Sequence, residues 1–218
     1  MSRSQKQAAL YFLVPCLFLL LLYVLYNVTG VSIEKYITSQ LYMVIEQGNP
    51  DYRQYPTDAE IEAAFQNRDG IEKSEISYPS IGERYAKISC DEIGLDVYLY
   101  YGDEEEILKQ GIGQAPGSSL PGFGGTILVC GYDHTYLSSL SAVEKGNTIM
   151  LDTNYGRYQY VVQETKIVDG ADTAAYELDS QSEQLVLYTS YPFGEIWKTR
   201  NEKFVVYCDK VSGPEVEE

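Results

Sequence analysis

The sequence predicts a mainly β protein, a closed or sandwiched β fold with short helices, behind an apolar amino-terminal segment. Three observations carry this. From Tyr78 onward, about eight short β-favouring runs alternate with Gly, Asn and Asp. Within them, Thr126-Ile127-Leu128-Val129-Cys130 is a continuous apolar run, the pattern of a strand buried on both faces. Far upstream, residues 8–26 carry no charge at all.

Taken in order, residues 1–7 hold Arg3 and Lys6, and the acidic bulk of the chain follows the apolar run. The positive-inside tendency then places residues 1–7 in the cytoplasm and the carboxyl-terminal domain outside the cell. Residues 8–26 fit a transmembrane anchor, because about 19 residues at about 1.5 Å each roughly match a hydrocarbon layer of about 30 Å. Pro15 is tolerated inside such a span. A cleavable signal peptide is the competing reading, but Tyr26-Asn27-Val28-Thr29-Gly30 offers no small-x-small cleavage site. Cys16 lacks the small neighbours of a lipoprotein signal and is read as membrane-embedded. Residues 27–77 are expected to form a helical stalk or linker: Ile33, Ile37, Leu41, Val44 and Ile45 share a helical face. Thr57, with Glu60 three residues on, gives a capping-box start to a second short helix. A lid over a site is the sharper reading of this region, and no residue in it favours one.

Residues 78–211 form the predicted β domain, with further strands at Tyr158–Gln163 and Phe204–Tyr207. Residues 212–218 are an acidic tail, expected to fray. The 218 residues include 32 acidic and 16 basic side chains, a formal charge of -16. That balance excludes nucleic acid as a partner, since phosphate contacts need clustered Lys and Arg. It argues equally against docking on anionic lipid and is compatible with a cationic amine. Cys90, Cys130 and Cys208 fall at predicted strand ends, where free thiols pack as small hydrophobes. A disulfide between two of them would leave the third over. The acidic run Asp103–Glu106 matches no EF-hand spacing, so no metal and no cofactor are expected.

Several ordered segments share one resemblance. Gly82–Ile88 with Ile93–Tyr98, Tyr101-Gly102, Leu108–Gly113, Pro116–Thr126 and Lys145-Gly146-Asn147-Thr148-Ile149 lead to Leu185-Val186-Leu187-Tyr188-Thr189-Ser190-Tyr191-Pro192-Phe193. This series resembles the sortases, most closely the type whose catalytic strand ends Thr-Cys-Tyr-Pro-Phe. The resemblance spans about Tyr78 to Asp209 and sharpens the fold to an eight-stranded sortase-type β-barrel. It implies a Gram-positive cell surface and a peptide substrate, a sorting signal such as Leu-Pro-x-Thr-Gly. In that family a cysteine thiolate attacks the Thr–Gly carbonyl, and a cell-wall precursor amine or pilin lysine resolves the thioester. A histidine moves the proton and an arginine steadies the oxyanion.

Carried onto this chain, those three positions read Ser190, Tyr132 and Lys203. A serine hydroxyl needs a hydrogen-bonded base to attack, a phenol shuttles protons poorly at neutral pH, and lysine lacks the planar guanidinium fork. Two nearby residues are possible substitutes. His134 is the single histidine and shares a side with Tyr132 if the backbone is extended; Arg200 lies three residues before Lys203. Thr189, Tyr191 and Trp197 are candidate peptide contacts, the aromatics equally readable as core. Two function classes follow. One is a catalytically degenerate sortase-family protein that binds sorting-signal peptides or partners an active sortase. The other is an active transpeptidase or hydrolase using Ser190 with His134.

Overall fold

The computed structural model describes residues 3–26, 37, 41, 70–176, 178, 180–195 and 199–217. A long helix, α1 (Arg3–Leu25), precedes the strands β1 (Gly70–Glu72), β2 (Arg84–Cys90) and β3 (Leu95–Tyr101). A one-turn helix, α2 (Glu105–Leu108), leads to β4 (Ile112–Gln114), β5 (Thr126–Cys130), β6 (Thr148–Thr153) and β7 (Arg157–Asp169). The chain closes with β8 (Gln184–Tyr191), β9 (Glu202–Ser212) and β10 (Glu215–Glu217). Eight strands form a closed barrel in the order β2-β3-β4-β5-β8-β9-β7-β6, and β1 and β10 pair separately. Closure removes every edge of the main sheet.

Local sequence explains the joints. Between β2 and β3 the turn ends on Gly94 at φ 64°, a left-handed conformation that glycine adopts without Cβ cost. At Gly113 a Cβ would overlap the Gly102 carbonyl oxygen, so β4 can approach that turn only as glycine. The apolar run Thr126–Cys130 is buried along its whole length. It is sandwiched between β4 and a parallel partner, β8. By contrast, Tyr158–Gln163 alternates: Tyr158, Tyr160 and Val162 fill the barrel while Gln159, Val161 and Gln163 are half-buried on the other face. Ile88, Leu99, Ile127, Leu151, Leu185 and Leu187 complete the interior.

Two expectations change. The tail does not fray: β10 pairs in parallel with β1, and the Val216 N–H donates to the Gly122 carbonyl at 2.8 Å. The cause is Val216 itself, which packs on the core between its two acidic neighbours. The expected stalk also ends sooner, since Gly70–Glu72 is a strand and Ile71 and Ile76 are buried in the core. The capping box at Thr57–Glu60 and the stalk positions Ile33, Val44 and Ile45 lie outside the described residues; Ile37 and Leu41 are helical and exposed. The large apolar side chains from Leu13 to Tyr26 are 43–67% exposed, covered by no described part of the chain. Among the described residues no helix is long and apolar enough to cross a membrane. The part of α1 with described side chains, residues 13–25, is shorter than the roughly 20 residues a span requires.

The barrel end where β8 begins is closed by a buried charge. Glu183 accepts from the Tyr160 hydroxyl at 2.6 Å, from the Gly122 and Gly124 N–H groups, and from Lys210 Nζ at 3.3 Å. Four donors from three segments converge on one carboxylate. Glu183→Ala should therefore destabilise the protein by about 3 kcal/mol, because the Tyr160 hydroxyl and two backbone N–H groups lose their buried acceptor and Lys210 keeps only the exposed Glu215 as its carboxylate partner. Chemical denaturation at neutral pH reads this directly, and a loss under about 1 kcal/mol would contradict the assignment.

Candidate functional site

Alternation along β8 divides its side chains. Leu185, Leu187 and Thr189 point into the barrel, whereas Val186, Tyr188 and Ser190 lie on its outer face. Leu128 of β5 and Val205 of β9 join Val186 there, with Tyr176, Tyr188 and Tyr207 packed against them. The Tyr176 and Tyr188 rings lie 4.9 Å apart, and the Tyr207 hydroxyl donates to the Ala175 carbonyl at 2.8 Å. At the carboxyl end of this face sits Ser190. Its register partner across the antiparallel β8–β9 pair is Lys203, and Lys203 Nζ donates to Ser190 Oγ at 3.3 Å.

The loop after β5 supplies the second wall. It folds in successive turns, with Leu137 N–H donating to the Tyr132 carbonyl at 3.0 Å, so the extended backbone that would align residues 132 and 134 is absent. Their rings nonetheless stack, centroids 5.3 Å apart and planes 19° from parallel. Burial, with the negative charges of Glu105 and Glu106 near, pushes the Tyr132 phenol up to about 12. A phenol so placed is a weaker proton shuttle than tyrosine in water.

Between these two residues in the chain stands Asp133, on which contacts from both loops converge. Arg200 holds it with two bonds, Nη1 to Oδ2 at 2.7 Å and Nη2 to Oδ1 at 2.9 Å. The Gly194 N–H donates to Oδ2 at 2.6 Å, His134 Nδ1 lies 3.6 Å from Oδ1, and Arg200 Nη1 also reaches the Pro192 carbonyl at 2.7 Å. Burial alone would raise this carboxyl. The donors from His134, Arg200 and Gly194, with the Arg200 charge, outweigh it and hold Asp133 well below the usual carboxylate range. The clamp ties the loop after β5 to the connection between β8 and β9.

The structure thus brings Ser190 and Lys203 together and groups Tyr132, Asp133, His134 and Arg200 beside them. Ser190 takes its side-chain hydrogen bond from Lys203, and Arg200 spends its fork on Asp133. Thr189 is 2% exposed, and its hydroxyl donates to the Gly131 carbonyl at 2.7 Å, inside the barrel wall. Tyr191 is half-buried and meets Phe193 edge-on, which in turn meets Phe204. Trp197 lies outside the described residues. Cys130 stands on the same outer face as Ser190, but burial pushes its thiol up to about 11, against the low value a reactive thiolate needs. All three barrel cysteines are free and buried. Among the described residues no cluster of three or more His, Cys, Asp or Glu is placed to hold a metal ion.

Asp133 is the residue that the sequence reading missed. Its signal was a lone carboxylate flanked by two candidate rings, facing a loop with an arginine.

Comparison with known proteins agrees with this geometry. A family model described as "Sortase domain" matches residues 88–211. Sortase D of Bacillus subtilis (strain 168) is 28% identical over 134 residues, covering 62% of this chain and 67% of that protein. Among solved structures, a Clostridium perfringens sortase D5 transpeptidase superposes with a TM-score of 0.57 at 17% identity. It covers 64% of this chain and 86% of its own. Sortase C from Clostridium perfringens SM101 gives 0.55 at 19% identity, over 87% and 95% respectively.

Replacing Asp133 by Asn should cost about 3 kcal/mol at pH 7, since Arg200 loses its buried counter-charge. The sign with pH follows from a lowered folded value. The carboxylate's contribution is full above the unfolded value of about 4 and is lost as pH falls through the depressed folded value. Denaturation at pH 7 and pH 3 should therefore show the gap between wild type and Asp133→Asn narrowing in acid.

Proposed function

The chain belongs to the sortase family, and from that premise we propose that it is a membrane-anchored surface protein that binds a sorting-signal-like peptide without thiolate chemistry. One observation carries this reading: the end of β8 presents the Ser190 hydroxyl, partnered by Lys203, where the family's nucleophilic thiol would stand. The nearest thiol, Cys130, is buried and raised to about 11. The imidazole stacks on Tyr132 and the guanidinium is committed to Asp133. Each part of the family's chemistry is missing or otherwise engaged.

What remains is a peptide-sized surface. On the outer side of β5, β8 and β9, Leu128, Val186 and Val205 are buried beneath Tyr176, Tyr188 and Tyr207, and the part open to a ligand is the strand end with half-buried Ser190, Tyr191 and Lys203. There the Tyr191 ring would meet the apolar Leu-Pro side of a signal such as Leu-Pro-x-Thr-Gly. The occupant is a surface protein or pilin bearing that signal, held for itself or for an active sortase nearby.

Residues 8–26 act as the anchor, with residues 1–7 cytoplasmic and the chain from residue 27 leading to a domain that begins at Gly70 and includes the paired strand Glu215–Glu217. The exposed apolar side chains from Leu13 to Tyr26 support this reading, because that surface needs a cover. The host would be Gram-positive and the domain extracellular.

The test uses the full chain in detergent micelles and a fluorescent Leu-Pro-x-Thr-Gly peptide followed by anisotropy. Wild type should bind saturably, and Tyr191→Ala should weaken affinity about tenfold, the worth of one aromatic contact of about 1.4 kcal/mol. No saturable binding by the wild type would overturn the reading.

A further inference from the structure

We propose that Ser190 and Lys203 form a serine–lysine pair that carries acyl transfer on an extended peptide amide. This rests on the peptide-binding reading of the same face and adds a reaction to it. The observation is positional. Ser190 and Lys203 are direct register partners on adjacent antiparallel strands, and Nζ reaches Oγ at 3.3 Å. Both flanks are fixed: Thr189 is bonded to the loop after β5, and Phe204 is packed under Phe193.

Serine becomes a nucleophile only with a base in hydrogen-bond reach, and serine–lysine pairs meet that need on unrelated folds. Arginine keeps its proton, whereas lysine can release one to solvent and then accept another. A lysine at this position therefore brings a base to a hydroxyl that a guanidinium could not activate. Arg200 is committed to Asp133, and the His134 ring lies on Tyr132 with its Nδ1 turned towards Asp133, 3.6 Å from Oδ1. Lys203 also runs beside Gly170, where an added Cβ would lie 3.4 Å from Cε. That leaves its stem a close, shaped passage towards Ser190.

The step balances without any further reagent. With Nζ in its amine form, Oγ bonds to the peptide carbonyl carbon and passes its proton to Nζ. The carbon–nitrogen bond then breaks, Nζ returns the proton to the departing amine, and an ester on Ser190 remains. Water or an incoming amine attacks that ester and gives its proton to Nζ. The carbon–oxygen bond breaks, and Oγ takes the proton back.

A fluorophosphonate probe reads the first half of this sequence, since Oγ displaces fluoride and leaves a phosphonyl ester of known mass. On the full chain in micelles, intact-mass and peptide mapping should find one adduct on Ser190, absent in Ser190→Ala. Lys203→Arg and Lys203→Met should each slow labelling at least about 100-fold. The arginine variant is decisive because it keeps the charge and removes the base. Anisotropy of the Leu-Pro-x-Thr-Gly peptide on the same samples reports that each variant is folded and separates the two proposals. Labelling in Lys203→Arg as fast as wild type would overturn the pair, as would labelling lost only in His134→Ala. Wild type that binds peptide and never labels would also overturn it, leaving the binding surface standing. Labelling without peptide binding would support the pair and remove the sorting-signal reading.

Discussion

The register of β8 between β5 and β9 is the constraint on which the rest of the structure depends. With a period of two, one strand supplies both the barrel's interior and its functional face. Leu185, Leu187 and Thr189 fill the inside; Val186, Tyr188 and Ser190 line the outside. A slip of one residue would bury Ser190 and expose two leucines. The apolar interior therefore fixes the position of the Ser190 hydroxyl. The same register sets Lys203 opposite Ser190, so the pairing that closes the barrel also assembles the site.

The Asp133–Arg200 clamp is a second-order consequence of that arrangement. Two loops leave neighbouring strands β5 and β8, and each would be mobile on its own. Joined by a bidentate pair and a third bond from the Gly194 N–H, they become one wall. A charge pair this shielded from water is not a large source of net stability relative to an apolar substitute. Its effect is on geometry: it holds the stacked rings of Tyr132 and His134 beside the strand end. The bidentate contact makes Arg200 a brace between the two loops.

The barrel was legible in the sequence because its signals are local. A five-residue apolar run, alternating strands and a turn glycine at position 94 each have one physical reading, and the ordered motifs from Gly82 to Phe193 named the family. Other features were hidden because they depend on partners far along the chain. That Thr189 faces inward depends on the pairing of β8 with β5 and β9. The acidic tail looked disordered because charge masked Val216, whose burial needs Gly122. Asp133 looked like one more acidic side chain among 32. Only three-dimensional proximity to Arg200, 67 positions away, gives it a role. Ser190 and Lys203 were both marked from sequence, but as two losses; their partnership exists only in the pairing of strands.

The parallel pairing of β1 with β10 has a consequence for how the molecule can be approached. Val216 is bonded to Gly122, in the loop that leads into the start of β5, and Glu183 binds that same loop just before β8 begins. The first and last strands of the folded domain therefore meet at the barrel's far pole, roughly 20 Å along β8 from Ser190. Chain leading into Gly70 arrives there, and chain leaving Glu217 departs there. A pull applied to the first strand would therefore load that pole, and not the strand end that carries Ser190.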